Sequence, residues 1–276
     1  MNRLERILFL NDILLREMPQ YRAEAMTVPK DEANQRRLLR SLMNVRPPLP
    51  LRDDFLTEQD ILLAAERDAR GVVSLQDLPT VRDLTGEKFT PQGAPAEQII
   101  LWQGDITRLA ADAIVNAANS ELLGCFVPCH GCIDNAIHSA AGLELREACA
   151  KLMKRQGCPE PAGKAKITPG FNLPARYVLH TVGPIIASGQ RPTKEEAELL
   201  ASCYCASLAL AKEQGLKSIA FCCISTGEFH FPGELAAEIA LKTVAEWLRV
   251  DNSSLTAVFN VFKDEDWAIY RHLLKI

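Results

Sequence analysis

Apolar residues repeat at two different periods along this chain, and the change of period divides it. Leu4, Ile7, Leu8, Leu14, Leu15 and Met18 recur at helical spacing, as do Leu38, Leu39, Leu42 and Met43. PPLP at 47–50 ends the second helix, because proline lacks a backbone donor and restricts the residue before it. A third helix is predicted over roughly 57–70, with Thr57 and Asp60 spaced as a weakened capping box. SLQDLPTVRDLTGEKFTPQGAPAEQ then reads as irregular linker. Residues 1–95 show no chemistry of their own, and their expected role is packing against the rest of the chain or a partner.

From Gln98 onward strands and helices alternate. QIILWQG, AIVN, KAKITPG, RYVLHTVG, KSIAFCCI and SLTAVFNVF read as strands. Between and after them come a predicted helix over roughly 133–154, with Ile133, Ile137, Ala140 and Ala141 on its inner face, and a long one in KEEAELLASCYCASLALAKEQG. PGELAAEIALKTVAEWLRV forms a third, opened by proline, and DEDWAIYRHLLKI a fourth. This order predicts a layered α/β domain with a mainly parallel or mixed sheet. Ligands of such sheets collect beyond the carboxyl ends of strands. The polar loops after AIVN and after AFCCI both sit there.

Composition narrows the function. A net charge of −4 argues against a broad basic surface for nucleic acid, though not against a small anion site. No apolar run is long enough to span a bilayer, and Glu5 and Asp12 interrupt any signal-peptide core in the N-terminal segment. The expected location is the cytoplasm. Nine cysteines fit a reducing compartment. The pairs Cys203/Cys205 and Cys222/Cys223 lie in apolar contexts and read as buried free thiols.

Chemistry concentrates in NAANSELLGCFVPCHGCIDNAIH, residues 116–138. Cys125, Cys129, His130 and Cys132 are donors suited to zinc. Adjacent Cys129 and His130 have diverging side chains, so Cys125, His130 and Cys132 with one open position is the favoured arrangement. A closed Cys3His knot and plain buried thiols stay open as alternatives. Asp134 lies one turn before His138 on the same helical face and could position or deprotonate water, or cap the helix. His138 and His180 read as satisfied core histidines. Ser225, Thr226, Gly227, Glu228 and Phe229 follow a strand and precede a helix, a placement where backbone N–H groups converge on an anion; an ordinary turn is the competing reading. Asp105 in GDIT could accept from an exocyclic amine, or cap a turn.

Taken together, GDIT (104–107), DAIVNAANSELLG (112–124), IDNAIHSAAG (133–142), LPARYVLHTVGP (173–184) and ISTGEFHFP (224–232) resemble, in order, the motifs of macrodomains, which bind ADP-ribose. Where macrodomains carry a glycine run before the aspartate, GCFVPCHGC stands here. That substitution is similar to the zinc-containing macrodomains, protein-ADP-ribose hydrolases with a helical N-terminal extension. The resemblance implies a three-layer α/β/α macrodomain with a mixed central sheet over 96–276 and a helical extension and linker over 1–95. It implies one zinc ion held by Cys125, His130 and Cys132, facing the distal ribose. Asp105 would contact the adenine amine, with the Ile106 backbone near a phosphate. The backbone of 225–229 would cradle the diphosphate, and Phe229 and Phe231 would wall the groove. Asn119 would hold the distal ribose, Asn116 would support its loop, and Asp134 would orient or activate water. Cys129 is an extra cysteine, open to a ligand swap or to oxidation. The implied activity is removal of mono-ADP-ribose from protein side chains, through an ester-type linkage cleaved at C1″. A non-catalytic ADP-ribose reader and a hydrolase of free metabolites such as O-acetyl-ADP-ribose or ADP-ribose 1″-phosphate are the rivals. The implied partner is ADP-ribose or a mono-ADP-ribosylated protein, with room for a cognate ADP-ribosyltransferase and none for nucleic acid or membrane.

Overall fold

The structure, a computed structural model, describes residues 1–86, 93, 95–251 and 254–276. The N-terminal part is a bundle of α1 (Arg3–Glu17), α2 (Arg22–Thr27), α3 (Glu32–Val45) and α4 (Asp53–Arg70). Asn2 and Glu5 close a capping box on α1, and the Asp31 side chain caps α3. Helix α4 starts four residues before Thr57, which instead bonds back to the Asp53 carbonyl from within the helix. Asp53 and Asp54 occupy the first turn, where the helix dipole favours acids, so the expected Thr57/Asp60 box is not used. Ile7, Leu10, Leu14, Leu39, Leu42, Phe55 and Leu62 form a core of their own, joined by Leu143 from the α/β part. Burying each such side chain contributes roughly 1.5–3 kcal/mol.

The stretch expected to be irregular linker is partly regular. Strand β1 (Val73–Ser74) pairs in parallel with β3 (Leu109–Ala110). Helix α5 (Val81–Thr85) is opened by a Thr80/Asp83 capping box that the sequence reading passed over. Val81 is fully buried in the α/β core. Residues 87–92 and 94 of that expected linker lie outside the described residues.

The main sheet is built from β2 (Ile99–Gln103), β4 (Ala113–Ala117), β5 (Ala165–Pro169), β6 (Tyr177–Thr181), β7 (Ser218–Phe221) and β8 (Thr256–Val261). Its order is β2-β8-β7-β4-β6-β5, parallel except for β5, which runs antiparallel to β6. The flanking helices are α6 (Ile133–Ala141), α7 (Leu143–Gln156), α8 (Lys194–Glu213), α9 (Gly233–Asp251) and α10 (Asp264–Leu274). Helix α9 packs on α8 and α10, whereas α6 packs on α3, α4 and α7. Among the described residues no helix is long and apolar enough to cross a membrane.

Two expectations are corrected here. The helix expected over 133–154 is two helices, broken at Gly142 (φ +97°). A Cβ at that position would meet Gln59 of α4 at 2.7 Å, and the Gln59 side-chain Oε1 accepts from the Leu143 N–H at 2.8 Å. The extension thus caps the second helix. Cys205 is exposed while Cys203 is buried, and Cys223 is only partly buried while Cys222 is buried. Residues two apart on a helix face different sides, so α8 cannot bury both of its thiols.

Strand order places the site. From β4 the chain goes to β5 and β6 on one side and then crosses to β7 on the other, which makes β4 a topological switch point. Strands β4 and β6 pair along their full length, but β4 meets β7 only at Ala113/Ile219 and Ile114/Ala220. Beyond those pairs the strands part, and a crevice opens at their carboxyl ends.

Candidate functional site

The crevice is a groove of about 670 Å³. Loops after five strand ends line it: Asp105 and Ile106 after β2, Asn119 and most residues between Gly124 and Asp134 after β4, Gly183 after β6, most residues between Cys222 and Phe229 after β7, and Phe262 and Lys263 after β8. Of the residues singled out from the sequence, Asp105, Ile106, Asn119, Cys125, His130, Cys132, Asp134, Ser225, Thr226, Gly227, Glu228 and Phe229 all face this one groove. Two expected lining residues do not. Phe231 is buried in the sheet core, where its ring does more by excluding water than it could at a groove wall. Asn116, on a strand buried on both faces, sits beneath the groove and acts through a neighbour.

That neighbour is Asp134. Asn116 Nδ2 donates to Asp134 Oδ1 at 2.8 Å and lies 3.2 Å from His180 Nδ1. An amide nitrogen only donates, so His180 Nδ1 accepts and its Nε2–H faces Thr168 Oγ1 at 2.9 Å. Burial holds His180 down to about 3, so the ring is neutral. A buried chain, Thr168–His180–Asn116–Asp134, therefore fixes one carboxyl oxygen. The other lies 3.5 Å from Asn119 Nδ2, which also donates to the Gly124 carbonyl. Burial pushes the Asp134 carboxyl up to about 6, against the Asn116 hydrogen bond and the nearby Arg146 cation, which pull it down. Arg146 is itself brought down to about 10 by burial and stays cationic at neutral pH. A carboxyl poised near neutrality suits proton transfer.

His138 is buried as expected of a core histidine but is not satisfied: among the described residues neither ring nitrogen has a hydrogen-bond partner, Nε2 only approaching Asp134 Oδ1 to 3.5 Å. Burial, with His180 and Arg146 adding, holds its pKa well below the usual value. The neutral ring packs under Gly124 (φ +82°), where a Cβ would meet it at 2.9 Å.

Cys125, His130 and Cys132 place their donor atoms within 4.8 Å of one another, with Cys125 Sγ 3.6 Å from His130 Nδ1. Cys132 is also the cap of α6, its Sγ accepting from the Asn135 N–H at 3.4 Å. Burial, and beside it Cys125, pushes the Cys132 thiol up to about 12, so thiolates here call for a cation. Two sulfurs and one imidazole at this spacing fit zinc. The other ring nitrogen, His130 Nε2, lies 3.6 Å from Glu228 Oε1 across the groove. Cys129 is not in this cluster. Its φ is +52° and its Sγ lies 3.2 Å from Ser41 Oγ of the extension.

The 225–229 loop is a tight turn. Ser225 adopts φ +66°, and the Phe231 N–H closes on its carbonyl at 2.9 Å. Among the described residues the N–H groups of Gly227, Glu228 and Phe229 have no protein acceptor, which leaves them for a bound anion. Asp105 caps the turn, its Oδ1 accepting from the Thr107 N–H at 3.0 Å, while Oδ2 pairs with Arg70 of α4 at 3.2 Å.

Several contributors carried no sequence signal. Arg146, Thr168 and Arg70 lie outside the motifs, and only the fold brings them in. Phe126 and Val127 form an exposed apolar rim, with the Phe126 ring under the Arg146 guanidinium at 4.4 Å. The extension, read as without chemistry, reaches both ends of the groove.

This fold and groove place the chain among macrodomains: residues 115–240 match the Macro domain model, and the chain belongs to that family. Over its full length it is similar to a protein-ADP-ribose hydrolase of Treponema medium, 51% identical across 99% of this chain and 100% of that one. A protein-ADP-ribose hydrolase of Staphylococcus aureus strain MRSA252 is 46% identical, over 90% of this chain and 88% of its own. Among solved structures, the Trypanosoma brucei macrodomain in complex with ADP-ribose superposes with a TM-score of 0.63 at 31% identity, covering 84% of this chain and 94% of that one. The Oceanobacillus iheyensis macrodomain with ADP gives 0.57 at 42% identity, over 64% and 90%.

Proposed function

We propose that this chain is a hydrolase that removes mono-ADP-ribose from modified protein side chains, cleaving an ester-type linkage to an acidic residue at C1″ of the distal ribose. One observation carries the reading. The buried Asp134 carboxyl, the Asn119 amide and the Cys125/His130/Cys132 donors line the same groove as the unpaired N–H groups of the 227–229 loop. A diphosphate on that loop directs the distal sugar toward the carboxyl. The names of the full-length relatives and the ADP-ribose held by the Trypanosoma brucei macrodomain support the same substrate class.

In this reading Asp105 receives the adenine amine and the Ile106 backbone approaches a phosphate. Residues 225–229 hold the diphosphate, and Phe229 walls the groove. Asn119 fixes the distal ribose. Asp134, steadied by Asn116, orients water for attack at C1″ and takes its proton. The bond from C1″ to the carboxylate oxygen breaks, leaving ADP-ribose and a free acidic side chain. Cys125, His130 and Cys132 would hold one zinc ion, which supplies a Lewis acid at the ribose end of the groove. Nine free thiols fit a reducing compartment, and the cytoplasm is the proposed location. The reaction presupposes a transferase that attaches the group, a cognate ADP-ribosyltransferase.

The test pairs metal content by elemental analysis with titration of ADP-ribose and timed release of label from a mono-ADP-ribosylated protein. Cys132→Ser and His130→Ala should lose both zinc and turnover. Tight binding of ADP-ribose by a zinc-loaded wild type that releases no label would make the chain a reader instead. Full release by a demonstrably metal-free variant would remove zinc from the reaction.

A further inference from the structure

We propose that helix α3 of the extension is a clamp on the metal loop, and that Asn44 and Arg40 are positioning residues on which zinc affinity depends. The inference rests on the zinc reading above and adds to it a source of order for the loop.

The loop has little regular structure to hold it. Between β4 and α6 it contains no helix or strand, and Leu122, Gly124 and Cys129 take positive φ. For leucine and cysteine that backbone region is disfavoured and persists only where surroundings enforce it. At Cys129, next to the ligand His130, the enforcing groups come from α3. Asn44 Oδ1 accepts the Cys129 N–H at 2.9 Å, and Ser41 Oγ takes the Cys129 Sγ at 3.2 Å, turning that thiol away from the cluster. Arg40 Nη2 donates to the His130 carbonyl at 3.2 Å and to Asn135 Oδ1 at 2.8 Å. Asn135 in turn donates to the Val127 carbonyl at 3.0 Å. The Asn44 amide nitrogen closes the network on Ser139 Oγ at 3.1 Å, and Ser139 bonds Asn135 at 3.2 Å.

These contacts are built rather than incidental. Asn44 is 2% exposed and Asn135 0%, so each would be costly to bury without its partners. They hold the backbone of Val127, Cys129 and His130 between the outer ligands, and the side chain of Asn135 just after Cys132. Metal ligands held in place by outer hydrogen bonds bind more tightly because less ordering remains to be done on binding, and loss of one such partner typically costs about 10–100-fold in affinity. The same network explains Cys129, whose thiol belongs to the clamp and not to the ligand set.

The test measures Zn²⁺ affinity by competition with a chromogenic chelator, using the full chain. Asn44→Ala and Arg40→Met should each weaken zinc at least ten-fold, while keeping the helical content and melting behaviour of the metal-free wild type. Cys129→Ser should hold zinc within about three-fold of wild type, well short of a ligand loss. Wild-type affinity in both α3 variants would overturn the clamp, as would loss of zinc in Cys129→Ser. Should one α3 variant fail to fold, the other decides; unfolding of both would overturn a role centred on the loop. A wild type that binds no zinc at all refutes the zinc reading itself, an outcome distinct from these.

Discussion

Asn116 Nδ2 donates to Asp134 Oδ1 at 2.8 Å from a strand buried on both faces, so the groove's central carboxyl is held from below by a fully buried residue. Asn116→Ala should therefore lower kcat on the order of 100-fold, the cost of letting a reacting group drift, with ADP-ribose affinity little changed. Steady-state kinetics beside calorimetric titration separates the two. An unchanged kcat would mean Asp134 needs no such support.

His130 and Glu228 meet across the groove at 3.6 Å, joining the 125–132 loop to the 225–229 loop. A carboxylate on the second nitrogen of a ligating histidine keeps the first free for metal. Glu228 is largely exposed, which puts its effect at the low end: Glu228→Gln should weaken zinc about ten-fold. Chelator competition reads this directly, and wild-type affinity would rule the contact out as support.

Gly183 lies just past the end of β6, against the 225–229 loop. A Cβ there would meet Ser225 Oγ at 1.9 Å, and Ser225 is buried and already at φ +66°. Gly183→Ala should shift the loop and weaken ADP-ribose at least about ten-fold, or 1.4 kcal/mol, without unfolding the chain. Isothermal titration checks it; unchanged affinity would show that the loop yields freely.

Glu144, at the joint between α7 and α4, is pushed up from 4.5 to about 7 by burial and by Asp60 beside it. The folded chain thus keeps a proton that the unfolded chain has released between those values. Stability falls as pH rises from 4.5 to 7, and the penalty is complete above that range. Because Glu144 is half exposed, the effect is on the order of 1 kcal/mol after screening. Glu144→Gln should flatten this part of the stability profile, measured by urea unfolding across the window. A mutant slope equal to that of the wild type would contradict it.

Much of the site was legible because its parts are local. GDIT, NAAN and STGEF are short runs at strand ends, and each keeps its chemistry within a few residues of the chain. Asp105, Asn119, Asp134 and the 225–229 loop accordingly face the groove where the α/β pattern placed them. Phe231 went the other way for a physical reason: in EFHFP two aromatics alternate across a turn, and spacing cannot say which one the core claims. The break at Gly142 was hidden too, since an alanine-rich run with one glycine reads as continuous helix until Gln59 arrives from α4.

What the sequence by itself determined is the alternation of strands and helices, the concentration of sulfur and imidazole donors between Cys125 and Cys132, and the order of the loops, because periodicity and side-chain chemistry are properties of the chain alone. What only the tertiary structure decided is which distant groups complete those loops. Asn116 reaches Asp134 through strand register, and His180 and Thr168 steady it from neighbouring strands. Arg40, Ser41 and Asn44 reach Cys129 and His130 across some ninety residues. Such contacts satisfy buried polar groups through space, and no spacing along the chain encodes them.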